Sequence, residues 1–143
     1  MKFKKYMLYI LYVVLIYILV LFINWSNTLS RNYIKMNFEI NILYSIIPIF
    51  ISITLGVFMS IEYLFKQFKK NGAWKVNLNK LIFIVIPLLL LSFSLNIYYL
   101  NIFPNLSKIL INLNSSIPSY LIFGILCGYN LATSFYKIKN LSN

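Results

Sequence analysis

Behind three closely spaced lysines, Lys2, Lys4 and Lys5, residues 6–23 pass without a single charge. A helix rises 1.5 Å per residue, so this stretch reaches about 27 Å, close to the roughly 30 Å hydrocarbon core of a bilayer. A helix on a soluble protein needs a polar face, and this run supplies none. Three further apolar runs follow, at about 42–65, 81–100 and 119–136, and Glu62 is the one acidic residue among them. The sequence therefore predicts an all-α integral membrane protein: a single membrane domain, 1–143, built as a four-transmembrane-helix bundle.

Composition agrees. The chain is 61% hydrophobic and 18% aromatic, and only 10% of it is charged, against roughly a quarter in soluble domains. Folded in water, it would expose apolar patches far beyond what a monomer tolerates. The lysine-rich start followed by an apolar run resembles a signal peptide. The run is too long for an h-region, however, and Asn24-Trp25-Ser26-Asn27 offers no small-residue cleavage site, so a retained helix is expected.

Thirteen Lys and Arg stand against Glu39 and Glu62, for a net charge of +11. Such a balance suggests nucleic acid, but here the cations flank apolar spans, and nucleic acid is not an expected partner. Lys2, Lys4, Lys5, the loop 66–80 (Lys66, Lys69, Lys70, Lys75, Lys80) and the tail (Lys137, Lys139) hold ten cations. The segments 24–41 and 101–118 hold Arg31, Lys35 and Lys108. The positive-inside rule then places both termini and the basic loop in the cytoplasm, N-in/C-in, in a multi-pass protein of the cell membrane. Aromatic residues fit the same frame. Trp25, Tyr44, Tyr98, Tyr99 and Tyr120 mark the outer ends, and Tyr6, Tyr63, Trp74 and Tyr136 the inner ends. Abundant Ile, Asn and Lys suggest a bacterial source.

The outer segments carry their own patterns. Ile34, Met36, Phe38, Ile40 and Ile42 alternate with polar residues, a period of two that fits either a docking strand or, as favoured here, an extended loop on the bilayer surface. After Pro104-Asn105, the residues Leu106, Ile109, Leu110 and Leu113 fall at helical spacing, as in a helix lying on the interface or capping the bundle. Ser45-Ile46-Ile47-Pro48 and Ser115-Ser116-Ile117-Pro118 hint at two copies of one hairpin, although the small-residue rows that follow match only after a shift of two.

Those rows are Ser52, Gly56 and Ser60 in the second span, and Gly124, Gly128 and Ala132 in the fourth. Residues four apart share a helix face, so each row is a groove for close helix packing. The two grooves are expected to pack on each other, or alternatively on a second copy or another membrane protein. Pro48 and Pro87 remove backbone donors inside their spans and predict helix kinks. Glu62 and Lys66, four apart near the cytoplasmic end, read as an interfacial ion pair more readily than as a proton- or cation-coupling site. Asn96 and Asn130 are candidates for hydrogen bonds between helices. Lys66, Lys69, Lys70, Lys75 and Lys80 would contact anionic lipid headgroups, as any such loop does.

No histidine is present, and Cys127 is the single cysteine. The chain therefore lacks the ligands for a metal site, a disulfide partner and the usual nucleophile–base pairs. No glycine-rich phosphate loop follows a strand. Neither an enzyme nor a cofactor is expected. What remains is a non-enzymatic accessory, regulatory or immunity-type partner of a larger membrane assembly. The alternative is a small transporter or a pore-forming, holin-like homo-oligomer, which calls for a polar stripe along a span. The first span offers only Tyr6, Tyr9 and Tyr12 for that purpose.

Overall fold

The computed structural model describes residues 2–37, 41–100 and 118–138, with the backbone alone for 2–9, 98 and 99. Helix α1 (Lys2–Asn37) has 36 residues and contains neither Gly nor Pro. With no breaker, its hydrogen-bond ladder continues past the first apolar run, and Thr28 turns its hydroxyl back onto the Asn24 carbonyl (2.8 Å). Much of the expected outer loop 24–41 is therefore helix. The alternating pattern at 34–37 does not override a ladder already propagating from above; residues 38–40 lie outside the described residues.

Asn41 caps helix α2 (Ile42–Met59), its side chain accepting from the Leu43 N–H at 3.0 Å. The second apolar run is not one helix. The Ser60 N–H (3.1 Å) and hydroxyl (2.7 Å) both bond back to the Val57 carbonyl, closing α2 before α3 (Ile61–Phe68) begins. Gly72, at φ 149°, then turns the chain into strand β1 (Ala73–Val76).

The third run is more broken still. Short helix α4 (Leu78–Lys80) leads into a π-turn (Leu81–Val85), then α5 (Ile86–Ser92) and α6 (Ser94–Tyr99). Pro87 has no N–H and crowds the carbonyl four residues before it. The wider π-turn just ahead, closed by the Ile86 N–H on the Leu81 carbonyl, accommodates that defect. Helix α7 (Ser119–Thr133) stops at Ser134, short of the expected 136. The chain then forms β2 (Phe135–Ile138), antiparallel to β1 with Trp74 opposite Lys137 and Val76 opposite Phe135. This two-stranded ribbon corrects the all-α expectation for both the basic loop and the end of the fourth run.

Contacts fix the directions of the helices. Gly124 lies against Ile49 and Ser52, and Gly128 against Ile53 and Val57, so α2 and α7 run parallel. The Tyr12 O–H reaches the Met59 carbonyl (3.3 Å), while the Tyr33 ring sits 5.0 Å from Tyr44; α1 is thus antiparallel to α2. Lys80 meets Thr133 (2.6 Å) and Asn96 meets Ser45, so α4–α6 also run against α2 and α7. Because α2 and α7 are parallel, the chain leaving α3 and the chain leaving α7 emerge side by side, and the ribbon joins them.

The ribbon is tied to α3. The buried Gln67 side chain accepts from the Lys137 N–H (3.2 Å), and the Lys137 ammonium donates to the Phe68 (3.3 Å) and Lys70 (3.1 Å) carbonyls at the end of the helix. The same ammonium lies 5.2 Å from the centre of the Trp74 ring, which meets Phe68 edge-on. Gln67→Leu orphans the Lys137 N–H. It is expected to cost about 1–3 kcal/mol, measured as a lower Tm in detergent; an unchanged Tm would mean that the clasp does not form.

Ile23, Ile49, Leu55, Tyr120 and Leu121 form the core. Along α1 from Ile10 onward, the buried positions are Ile23, Ser26 and Ser30, a narrow stripe at helical spacing. Among the described residues, two helices are long and apolar enough to cross a membrane, Ile10–Asn37 and Ile42–Met59. Of the most apolar 18-residue windows in each, only 11% and 33% respectively is buried.

Candidate functional site

The small-residue rows meet in one seam. A Cβ on Gly56 would fall 2.0 Å from the Ile125 carbonyl oxygen, and one on Gly128 would fall 2.0 Å from the Ile53 carbonyl oxygen. The contact is reciprocal: in each helix a carbonyl three residues before the glycine rests on the glycine of the other. Such approach favours Cα–H···O contacts and strong dispersion. Gly124 faces the Ser52 hydroxyl, which donates along its own helix to the Ile49 carbonyl (2.7 Å). Ser60 and Ala132, one turn further along, are buried. The two grooves are therefore occupied by each other, and an outside helix would need a different surface.

Other candidate residues are dispersed. Pro48 is fully buried in α2, whereas Pro87 follows the π-turn on an exposed position. Glu62 and Lys66 form an ion pair of 3.0 Å with both side chains exposed, a geometry worth little in water. Lys69, Lys70 and Lys75 are exposed. Lys80 differs from these: it is half-buried and donates to the Thr133 hydroxyl, and burial holds its ammonium below the ordinary lysine range. Asn130 bonds to the Leu126 carbonyl of its own helix (2.8 Å), not across helices. Asn96 does bond across, to Ser45 of α2, and its buried amide nitrogen has no partner.

Sequence reasoning missed one arrangement. At the end of the bundle away from the ribbon, a cavity of about 180 Å³ opens among Asn27, Ser30 and Arg31 of α1, Ser45 of α2 and Tyr120 of α7. Ile34, Leu95 and Pro118 supply its apolar wall. The Tyr120 hydroxyl donates to the Asn27 side-chain oxygen (2.7 Å), tying α7 to α1 at its rim. Asn27, Ser30 and Arg31 stand at i, i+3 and i+4, a one-face spacing that becomes meaningful only once 24–37 is helix. Among the described residues, no three His, Cys, Asp or Glu side chains come together to hold a metal.

The fold is thus a helical bundle with a seam of interlocked small residues, a small cavity at one end and a basic ribbon at the other. Comparison with protein-family models, curated proteins and solved structures finds no match to this chain.

Proposed function

We propose that the chain is a four-span bundle of the cell membrane, with both termini cytoplasmic, serving as a non-enzymatic accessory, regulatory or immunity-type partner of a larger membrane assembly. The observation that carries this reading is the uncovered face of α1. Ile10, Val13, Tyr17, Val20 and Leu21 are exposed along a helix that touches the rest of the chain through one narrow stripe. Such a face needs lipid or a protein against it. The alternating helix directions support four crossings. Lys66, Lys69, Lys70, Lys75, Lys80 and Lys137 gather at the ribbon end, as the positive-inside rule asks of a cytoplasmic face.

A filled interior favours a partner over a pore. Ile49, Ser52 and Cys127 are fully buried between the helices, and the seam closes the route between α2 and α7. The test is a photo-crosslinking side chain at Tyr17, which is exposed on α1, used in native membranes. Mild extraction and mass identification should then recover one larger membrane protein in fixed stoichiometry. Adducts of the chain with itself alone, together with solute flux in liposomes, would replace this reading with a pore-forming oligomer.

A further inference from the structure

We infer that the outer edge of β1 is a docking edge for an extended acidic segment of another protein, added to the ribbon as a third strand. This surface is separate from the uncovered face of α1, and the inference does not rest on what covers that face. The register fixes where the backbone groups point. The Asn77 N–H donates to the Ser134 carbonyl (2.9 Å), and the same register sets Lys75 opposite Tyr136 and Ala73 opposite Ile138. Antiparallel strands alternate hydrogen-bonded with non-bonded pairs, so Ala73, Lys75 and Asn77 turn their backbone groups toward β2. Trp74 and Val76 turn theirs outward, as do Phe135 and Lys137 on the other strand.

The two outward edges differ. That of β2 is engaged, since the Lys137 N–H donates to Gln67 of α3. That of β1 is uncovered: all of its residues are exposed, and among the described residues no hydrogen bond reaches the outward N–H and C=O groups of Trp74 and Val76. Such a row is a template for a further strand. Two strands alone make a marginal sheet, which a third would extend.

Side chains choose the occupant. Trp74 and Val76 share one face of the ribbon with Phe135 and Lys137, and Lys75 lies on the other. Lys69 and Lys70, exposed just past α3, lead into the turn before β1. An added strand therefore meets apolar side chains on one face and a lysine on the other, which suits alternating apolar and acidic residues. A second copy of this chain fits poorly. It would set its own lysines against these, and like charges on facing strands repel. Lys75 thus discourages self-pairing, the usual use of lysine in an edge strand, while admitting a strand of opposite charge.

The test uses the full chain in detergent and a fluorescent, end-capped peptide of alternating Glu and Val, with binding read by anisotropy. The controls are a Gln–Val peptide, a Lys–Val peptide, and the Glu–Val peptide methylated on its backbone nitrogens. Saturable binding of the Glu–Val peptide is expected, with weaker binding of Gln–Val and none of the other two. Val76→Pro removes an outward N–H and sets its ring in the docking path, while the bonds to β2 are made by its neighbours and remain. It should weaken the Glu–Val peptide about tenfold or more. Lys75→Gln should weaken it about two- to fivefold, the worth of a cross-strand charge pair, and leave Gln–Val binding unchanged. Should Val76→Pro not fold, the methylated peptide carries the same test on the native chain. No binding of the Glu–Val peptide would overturn the assignment, and so would equal binding of its methylated form or an unchanged affinity in Val76→Pro, which would reduce the contact to charge alone. A dimer of the chain with itself that Val76→Pro abolishes would give the edge to a second copy instead. Loss of bound phosphatidylglycerol in Lys75→Gln, counted by native mass spectrometry with peptide binding untouched, would give the lysine to the bilayer and equally overturn it.

Discussion

Gly128→Ala is expected to disrupt the bundle, although it adds one methyl group. Its Cβ would meet the Ile53 carbonyl oxygen at 2.0 Å and the Val57 nitrogen at 3.0 Å. Both are backbone atoms, so no rotamer change relieves the collision and α2 must move away from α7. That movement opens the packing around Ile49, Ser52 and Cys127, which are fully buried. Overpacking a core that can adjust costs about 1–3 kcal/mol. A shift of a whole helix should exceed that range, a large share of a total stability of about 5–15 kcal/mol. Gly56→Ala meets the Ile125 carbonyl oxygen at 2.0 Å and should behave alike. Gly124→Ala is the informative contrast. Its Cβ meets the Ser52 hydroxyl at 2.0 Å, but the Ser52 Cβ only at 3.2 Å. Removing that hydroxyl with Ser52→Ala should recover most of the stability lost in Gly124→Ala, and none of that lost in Gly128→Ala. Thermal unfolding in detergent reads all five variants. A Gly128→Ala protein that melts with the wild type, or equal rescue by Ser52→Ala in both backgrounds, would mean that the seam is not built this way.

What was legible in the sequence was local. Ser52 and Gly56, like Gly124 and Gly128, stand four apart on one helix face whatever they pack against. The Glu62–Lys66 pair likewise depends on a single turn of helix. What faces what is a tertiary fact. Asn96 and Asn130 look equivalent as lone amides in apolar runs, yet one bonds across to Ser45 and the other to its own helix. Phe135 and Tyr136 read as the end of an apolar run, and Lys137 as part of the basic tail. The pairing of 135–138 with 73–76 becomes available only because α2 and α7 are parallel and bring two chain exits together. The cavity escaped notice for a related reason. With 24–41 read as a loop, Asn27, Ser30 and Arg31 had no common face to be placed on. A breaker count over 2–37, which holds neither Gly nor Pro, would have argued for continuing the helix and exposed their spacing.

Val13→Arg should separate a bilayer from water as the medium around this bundle. Val13 is 63% exposed on α1, in the middle of the first apolar run. In water, a substitution at such a position changes stability by no more than about 0.5 kcal/mol, and the added charge improves solubility. At the centre of a transmembrane helix, arginine costs about 2.5–3.5 kcal/mol on the insertion scale. Met36→Arg provides the control: it is 80% exposed on the same helix, but lies near its last turn, where a long cationic side chain reaches the interface. The expected result is a large fall in the carbonate-resistant membrane fraction for Val13→Arg and little change for Met36→Arg. Phe83, 75% exposed in the π-turn on another side of the bundle, extends the test. A penalty at Phe83→Arg as well as Val13→Arg is the signature of apolar surroundings on more than one face, which a single docking partner in water would not produce. If Val13→Arg instead left the chain folded and soluble without detergent, the exposed face of α1 would have to belong to a soluble assembly, and the membrane reading would fall with it.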